Sequence, residues 1–170
     1  MADARRSVSI IDCIPEAIRP RTLADAYAVR DRLIEILGAE TYGWFGACTN
    51  EVIQKMLGLA EPYYAYLLTE HVYQSPARLD TRRYPPIVFE CEFGFTLDRD
   101  FVPAGHPYSR AEIERAVSTV SPVVEIVAGH LRDWPNRMYS RSSQIMVPMA
   151  LWSLASHSRT GTPSTWSIRR

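Results

Sequence analysis

Glu90 and Glu92 stand two residues apart in the run Ile87-Val88-Phe89-Glu90-Cys91-Glu92-Phe93-Gly94-Phe95-Thr96-Leu97. The run alternates with period two, so it reads as a strand with Phe89, Cys91, Phe93, Phe95 and Leu97 on one face and the two acids on the other. Their Cα atoms are then roughly 7 Å apart, with parallel side chains. A third acid, Glu125, sits among apolar residues in a second strand-like stretch, Ser121–Val127. Carboxylate oxygens converging from neighbouring strands suit a hard cation such as Mg2+ or Mn2+, and three of them complete one face of an octahedron. Like charges this close repel, which makes a cation a natural partner. Spacing alone leaves a second reading open, in which the acids form a solvated strand face.

The elements that would position these acids follow from local signals. TLADAYAVRDRLIEILG, residues 22–38, reads as a helix. Thr22 can cap it, Asp25 lies in its first turn, and Gly38 can end it. Leu23, Ala26, Tyr27, Leu33, Ile34 and Leu37 recur at helical spacing. A strand is expected around Tyr42–Cys48, then a helix capped by Asn50 and closed by Gly58. Short strands follow over Ala65–Leu68 and His71–Tyr73. Pro107–Val120 is predicted as a helix with Ser109 and Glu112 as a capping box. Short helices and long strands without βαβ regularity indicate an α+β fold, with Phe89–Leu97 as a central strand.

Composition bounds the function classes. Nineteen basic residues balance nineteen acidic ones, so no electrostatic reason to expect nucleic acid or an anionic membrane arises. No apolar run approaches the length of a membrane-spanning helix, and the N-terminus lacks the pattern of a signal peptide. Cys13, Cys48 and Cys91 are odd in number and widely spaced. They fit packing residues in a reducing, cytoplasmic setting rather than a disulfide framework.

Several segments in order resemble the 2-oxopent-4-enoate hydratase and 4-oxalocrotonate decarboxylase family of the fumarylacetoacetase superfamily. They are RPRTLADAYAVRDRL, GWFGACTNEVIQKMLGLAEPYYAYLL, PPIVFECEFGFTLDRDF and YSRAEIERAVSTVSPVVEIV, within about residues 14–136. The resemblance implies a mixed β-sheet roll of the fumarylacetoacetase C-terminal-domain type with N-terminal helices, here incomplete. It implies Glu90, Glu92 and Glu125 as metal ligands, Mg2+ or Mn2+ as cofactor, and a homo-oligomer. The implied reaction is hydration of a small 2-hydroxy-dienoate in aromatic-compound catabolism, with decarboxylation of a related 2-oxo-dioate as the alternative. One departure bears on activity. The family carries a lysine directly after its Gly-Trp pair, and here Phe45 follows Gly43-Trp44. Phenylalanine can neither accept a proton nor pair with an anion, so no residue takes the catalytic role and a non-catalytic fragment is a further alternative. His130 follows Ala128-Gly129 where the family has an acidic-small-arginine run, and is expected to be a surface histidine.

The resemblance stops after Arg137. Regrouping the bases by one position forces a valine codon across Met138-Tyr139 and glycine codons across Met146-Val147 and Met149-Ala150. Both glycines fall where the family has glycine. Residues 1–137 are therefore expected to form the hydratase-like unit and 138–170 an out-of-frame tail, without selected structure from about Ser156 onward. The alternative is a divergent C-terminus in which Met146–Leu154 makes a helix interrupted by Pro148.

Overall fold

The structure is a computed structural model that describes residues 1–132 and 155–157. In chain order it comprises α1 (Ala2–Ser7), α2 (Leu23–Leu37), β1 (Thr41–Ala47), α3 (Glu51–Leu57), β2 (Tyr63–Leu68), β3 (Val72–Gln74), β4 (Ile87–Leu97), α4 (Arg110–Ala116), β5 (Val117–Ala128) and β6 (Ala155–His157). Helices and small sheets alternate without βαβ units, which bears out the α+β class. β1 pairs with β2 and β4 with β5, both antiparallel, while β3 pairs with β6 in parallel. Among the described residues β4 has one strand neighbour, β5, rather than the two that a central strand requires. No helix among them is long and apolar enough to cross a membrane.

The capping signals are realised. The Thr22 hydroxyl accepts from the Asp25 amide at 3.1 Å, and the Asp25 carboxylate accepts from the Thr22 amide at 2.9 Å. Gly38 ends α2 in the left-handed region, φ 64°, where a side chain would be strained. Ser109 and Glu112 form a second capping box at the start of α4. That helix is shorter than its predicted span of 107–120. Val117, Ser118, Thr119 and Val120 are rich in β-branched residues, which favour extended backbone, and they extend the β5 ladder against Leu97, Thr96 and Phe95. The third short strand begins at Val72, because Thr69–His71 forms a single 3-10 turn. Helix α1 carries no apolar periodicity and escapes pattern reading.

The buried stripe of α2 includes one residue that hydropathy does not mark. Arg30 lies in line with Ala26 and Leu33 and is as buried as they are. Its guanidinium sits 4.5 Å from the Tyr27 ring centre, 4.9 Å from Tyr64 and 4.5 Å from Tyr66. It donates to the Tyr64 carbonyl at 2.9 Å and to Asp31 at 2.8 Å. Trp44 packs on Tyr66 at 4.4 Å, ring centre to ring centre. One face of the β1–β2 hairpin is thereby clamped to α2 by a planar cation between aromatic rings. The opposite face carries Phe45, Ala47, Tyr63 and Ala65, with Ala47 opposite Tyr63 and Phe45 opposite Ala65.

The N-terminal segment ties down the end of β5. The Ile11 amide donates to the His130 carbonyl at 2.7 Å, and the Arg132 amide to the Ile11 carbonyl at 2.8 Å. Ile14, Ala26 and Leu131 form a small core beneath this contact. The boundary expected at residue 137 and the helix considered for Met146–Leu154 lie outside the described residues. The expectation of no structure from Ser156 onward is corrected at its start. The backbones of Ser156 and His157 pair with Tyr73 and Gln74.

Removing the Arg30 guanidinium loses a charge-assisted hydrogen bond and cation–π contacts. Arg30→Met is expected to cost about 2–4 kcal/mol of folding stability, and Arg30→Lys to recover only part, because an ammonium cannot fork or stack flat. Urea unfolding followed by tryptophan fluorescence measures both. Equal stability of the wild type and Arg30→Met would refute the clamp.

Candidate metal centre

The register of the β4–β5 ribbon decides which side chains meet. Glu90 stands opposite Glu125, and Glu92 opposite Val123. Alternation therefore puts Glu90, Glu92 and Gly94 on the same face as Glu125 and Val123. One carboxylate oxygen from each of the three acids lies within 4.8 Å of the other two. Oxygens sharing one face of an octahedron are about 3 Å apart around Mg2+ and about 3.4 Å around Ca2+. The donor set has the chemistry for a single hard divalent cation, and side-chain rotation brings the oxygens, up to 4.8 Å apart, into its coordination distance. Glu90 and Glu125 are half-buried and Glu92 is exposed, which leaves one side open to solvent.

Glycine at position 94 serves the same face. A Cβ there would approach the Val123 side chain to 2.8 Å, closer than real contacts allow. Val123 lies over the glycine, directly across from Glu92, and packs beside the carboxylates.

The electrostatics reflect crowding of like charge. The Glu90 carboxyl is raised above its ordinary value, first by burial and then by the neighbouring Glu92 charge. Two protonated groups border the cluster. Tyr63 is buried and its phenol is shifted well upward by burial, then by its hydrogen-bonded neighbour Cys48, and then by the charges of Glu125 and Glu90. The Cys48 thiol is raised by burial, an effect opposed by its hydrogen bond with Tyr63 and reinforced by Glu90. Both remain neutral donors at neutral pH.

The turn after β1 places Cys48. Its φ of 55° is left-handed, a conformation that costs a non-glycine residue about 1–2 kcal/mol. The Gln54 side-chain amide donates to the Cys48 carbonyl at 2.7 Å, and Asn50 caps α3 by accepting from the Val52 amide at 2.7 Å. All three cysteines are free thiols.

The structure brings together the three acids singled out in the sequence. Phe45 is half-buried on the hairpin face that also bears Tyr63. His130 is not a surface residue. It is 1% exposed, and its Nδ1 lies 2.9 Å from the Ser9 carbonyl, so it braces the N-terminal segment. Sequence reading missed Tyr63 and took Cys48 for plain packing. Their place beside the acids depends on how the hairpin docks, for which no local pattern exists.

No family model matches the chain. Among curated proteins it is 27% identical over 117 residues to a 2-hydroxypent-2,4-dienoate hydratase of Pseudomonas putida, covering 66% of this chain and 52% of that protein. It is 31% identical over 114 residues to a 2-keto-4-pentenoate hydratase of Paraburkholderia xenovorans, covering 65% of this chain and 41% of the relative. The chain spans about half the length of the curated relatives it matches. Among solved structures it resembles the 4-oxalocrotonate decarboxylase of Pseudomonas putida G7 in complex with magnesium and adipate. That match has a TM-score of 0.73 at 18% identity, over 90% of this chain and 58% of that one. A complex of the same decarboxylase with calcium and acetate matches with a TM-score of 0.70.

A carboxyl whose value is raised on folding keeps its proton in the folded state at pH values where the unfolded chain has lost it. Stability then falls as pH climbs from the unfolded value through the raised one. Without metal, Glu90→Gln is expected to melt above the wild type near neutral pH, with the difference vanishing at about pH 4, where the unfolded carboxyl protonates. Melting curves across that range test this. A variant less stable than the wild type at neutral pH would mean that the repulsion is compensated.

Proposed function

We propose, from the likeness to 2-oxopent-4-enoate hydratases and 4-oxalocrotonate decarboxylase, that Glu90, Glu92 and Glu125 hold Mg2+ or Mn2+. We further propose that the centre is that of a metal-dependent hydratase acting on 2-hydroxypenta-2,4-dienoate-type substrates in aromatic-compound catabolism. The observation that carries this is the convergence of three carboxylates across one strand pair. When bound, the ion supplies Lewis-acid polarisation of a chelating 2-oxo acid. The protein's own groups supply the rest. Glu92 lies at the exposed side of the cluster, where a small acid can enter. Tyr63 and Cys48, hydrogen-bonded to each other, stay neutral within the field of Glu90. Phe45 gives the neighbouring wall an apolar surface that excludes water but moves no proton.

The decarboxylase alternative rests on the fold match to the 4-oxalocrotonate enzyme. Phe45 favours a weakly active or non-catalytic chain, since losing a positioned proton-transfer group costs about 10²–10⁴-fold. We take the complete architecture to be the fumarylacetoacetase-type roll, of which residues 1–137 supply the front portion. Residues 138–170 we read as the product of a shifted frame, and resequencing the DNA across codons 136–138 checks that. The free thiols accord with a cytoplasmic setting.

Calorimetry with Mn2+ is expected to show binding to the wild type that is lost in Glu90→Gln. Unchanged binding in that variant would remove the metal assignment. For turnover, loss of dienol ultraviolet absorbance with added Mg2+ is the readout. The chain with Phe45 is expected to be nearly inactive, and the chain with Phe45→Lys and a restored frame to be active. Full activity of the unaltered chain would overturn the role given to the lysine. A doubly repaired chain that binds metal but leaves the dienol unchanged would favour the decarboxylase alternative.

A further inference from the structure

Two buried histidines from different elements feel the charge of Arg5, a residue of α1. His130, just after β5, is 1% exposed, and His71, in the turn between β2 and β3, is 8% exposed. Arg5 is itself buried. The His130 Nδ1 lies 2.9 Å from the Ser9 carbonyl. A carbonyl only accepts, so Nδ1 carries the proton, and the neutral ring already makes this contact. The backbone carbonyl of His130 accepts from the Ile11 amide, and the Ile11 carbonyl accepts from the Arg132 amide. The N-terminal segment is thus seated against groups whose charge depends on pH. Burial, ahead of any neighbouring charge, holds both imidazoles below the ordinary histidine value, His71 down to about 4.

We propose that the N-terminal segment, residues 1–14, is an acid-released clasp, which stays seated while His71 and His130 are neutral and lifts away from the end of β5 when they take up protons, the rest of the fold remaining intact. The groups around the two rings favour this. His130 faces two positive charges, Arg5 and the N-terminal amine, and its hydrogen bond to the Ser9 carbonyl pulls the other way. His71 faces Arg5 from α1 and Arg83 from the 3-10 turn Thr81–Arg83. Glu70, 3.5 Å from the His71 Nε2, has a side chain 66% exposed, so water screens its pull on the ring; its charge also bears on Arg5. A proton on either ring therefore adds positive charge to a buried place that already holds Arg5, and moving the segment outward returns these groups to water. Both rings bind protons more readily in the open state. Closure is then fully favoured above the ordinary value of 6.5 and is lost as pH falls from there toward about 4. The seam is light enough to open alone. It consists of the two backbone bonds at Ile11, the small core of Ile14, Ala26 and Leu131, and the exposed Asp12–Arg132 ion pair. Helix α2 and the β1–β2 hairpin are held to each other separately, by Arg30.

Hydrogen exchange of the full chain tests it, read at single amides by NMR and corrected for the chemical exchange rate at each pH. The Ile11 and Arg132 amides donate the two bonds of the seam. With His71 returning from about 4 to its ordinary value in the open state, the opening constant rises roughly 20-fold between pH 7 and pH 5. Protection of both amides is expected to fall by at least that factor, while the Arg30 and Leu33 amides inside α2 keep theirs. In a chain with His71→Gln and His130→Gln, protection of the seam at pH 5 is expected to match that at pH 7. Asp12→Asn is expected to leave the pH dependence in place, since a carboxylate titrates lower. Where the glutamines disturb folding, the imidazole resonances of the wild type decide. Both rings are expected to take up protons in step with the loss of Ile11 protection. Seam protection unchanged down to pH 5, an undiminished pH effect in the double variant or its disappearance in Asp12→Asn would each overturn the clasp. So would rings that titrate while Ile11 stays protected, or α2 losing protection together with the seam.

Discussion

Three carboxylates that would repel one another if free are held together by the ladder of hydrogen bonds between β4 and β5. Eleven residues of β4, Ile87–Leu97, pair with β5, and the whole ladder bears on the cost of gathering negative charge. The raised Glu90 carboxyl is the trace of that cost. Other features of the region follow from it. Gly94 leaves room for Val123 on the face of the acids, Tyr63 and Cys48 stay protonated, and the ribbon's phenylalanines are all turned to the reverse side. A divalent cation would relieve the repulsion and stabilise the fold in proportion to its affinity.

The β1–β2 hairpin plays the part of a wall whose two faces have different tasks. Toward α2 it offers tyrosine rings that sandwich Arg30. Toward the acids it offers Tyr63, with Phe45 two positions along the same face. A buried cation thus fixes one face of the hairpin to α2, while the other face carries Tyr63, which the charges of Glu125 and Glu90 influence. Because the guanidinium also bonds to the Tyr64 carbonyl, sliding of helix against hairpin would break a directional contact as well as an apolar one.

The acids, the alternation of β4 and both capping boxes were legible in the sequence because each depends on residues close together in the chain. Glu125 was legible as a member of the site through resemblance, and its pairing with Glu90 became visible only once the 34 intervening residues had been traced through a loop and α4. What local pattern could not supply were features set by packing. Arg30 occupies an apolar position of a helical stripe, His130 is buried by a segment 121 residues away, and the end of α4 is decided by strand pairing rather than by helix propensity. The central role expected for β4 failed among the described residues for a related reason. A strand's neighbours are chosen by the whole chain, whereas its alternation is written in its own residues.

The two faces of the ribbon also guard its alignment. Side chains alternate strictly, so sliding β5 by one residue would carry Glu125 to the phenylalanine side and bring an apolar residue opposite Glu90. A slip of two would restore the faces but part Glu125 from Glu90. A deletion of one residue within Cys91–Gly94 would therefore be felt as an inversion of everything beyond it, acid for aromatic, while a deletion of the same size in the loop before α4 would be absorbed. Tolerance to insertion and deletion along this chain should rise sharply at the end of β4, at Leu97, where the ladder's parity stops mattering.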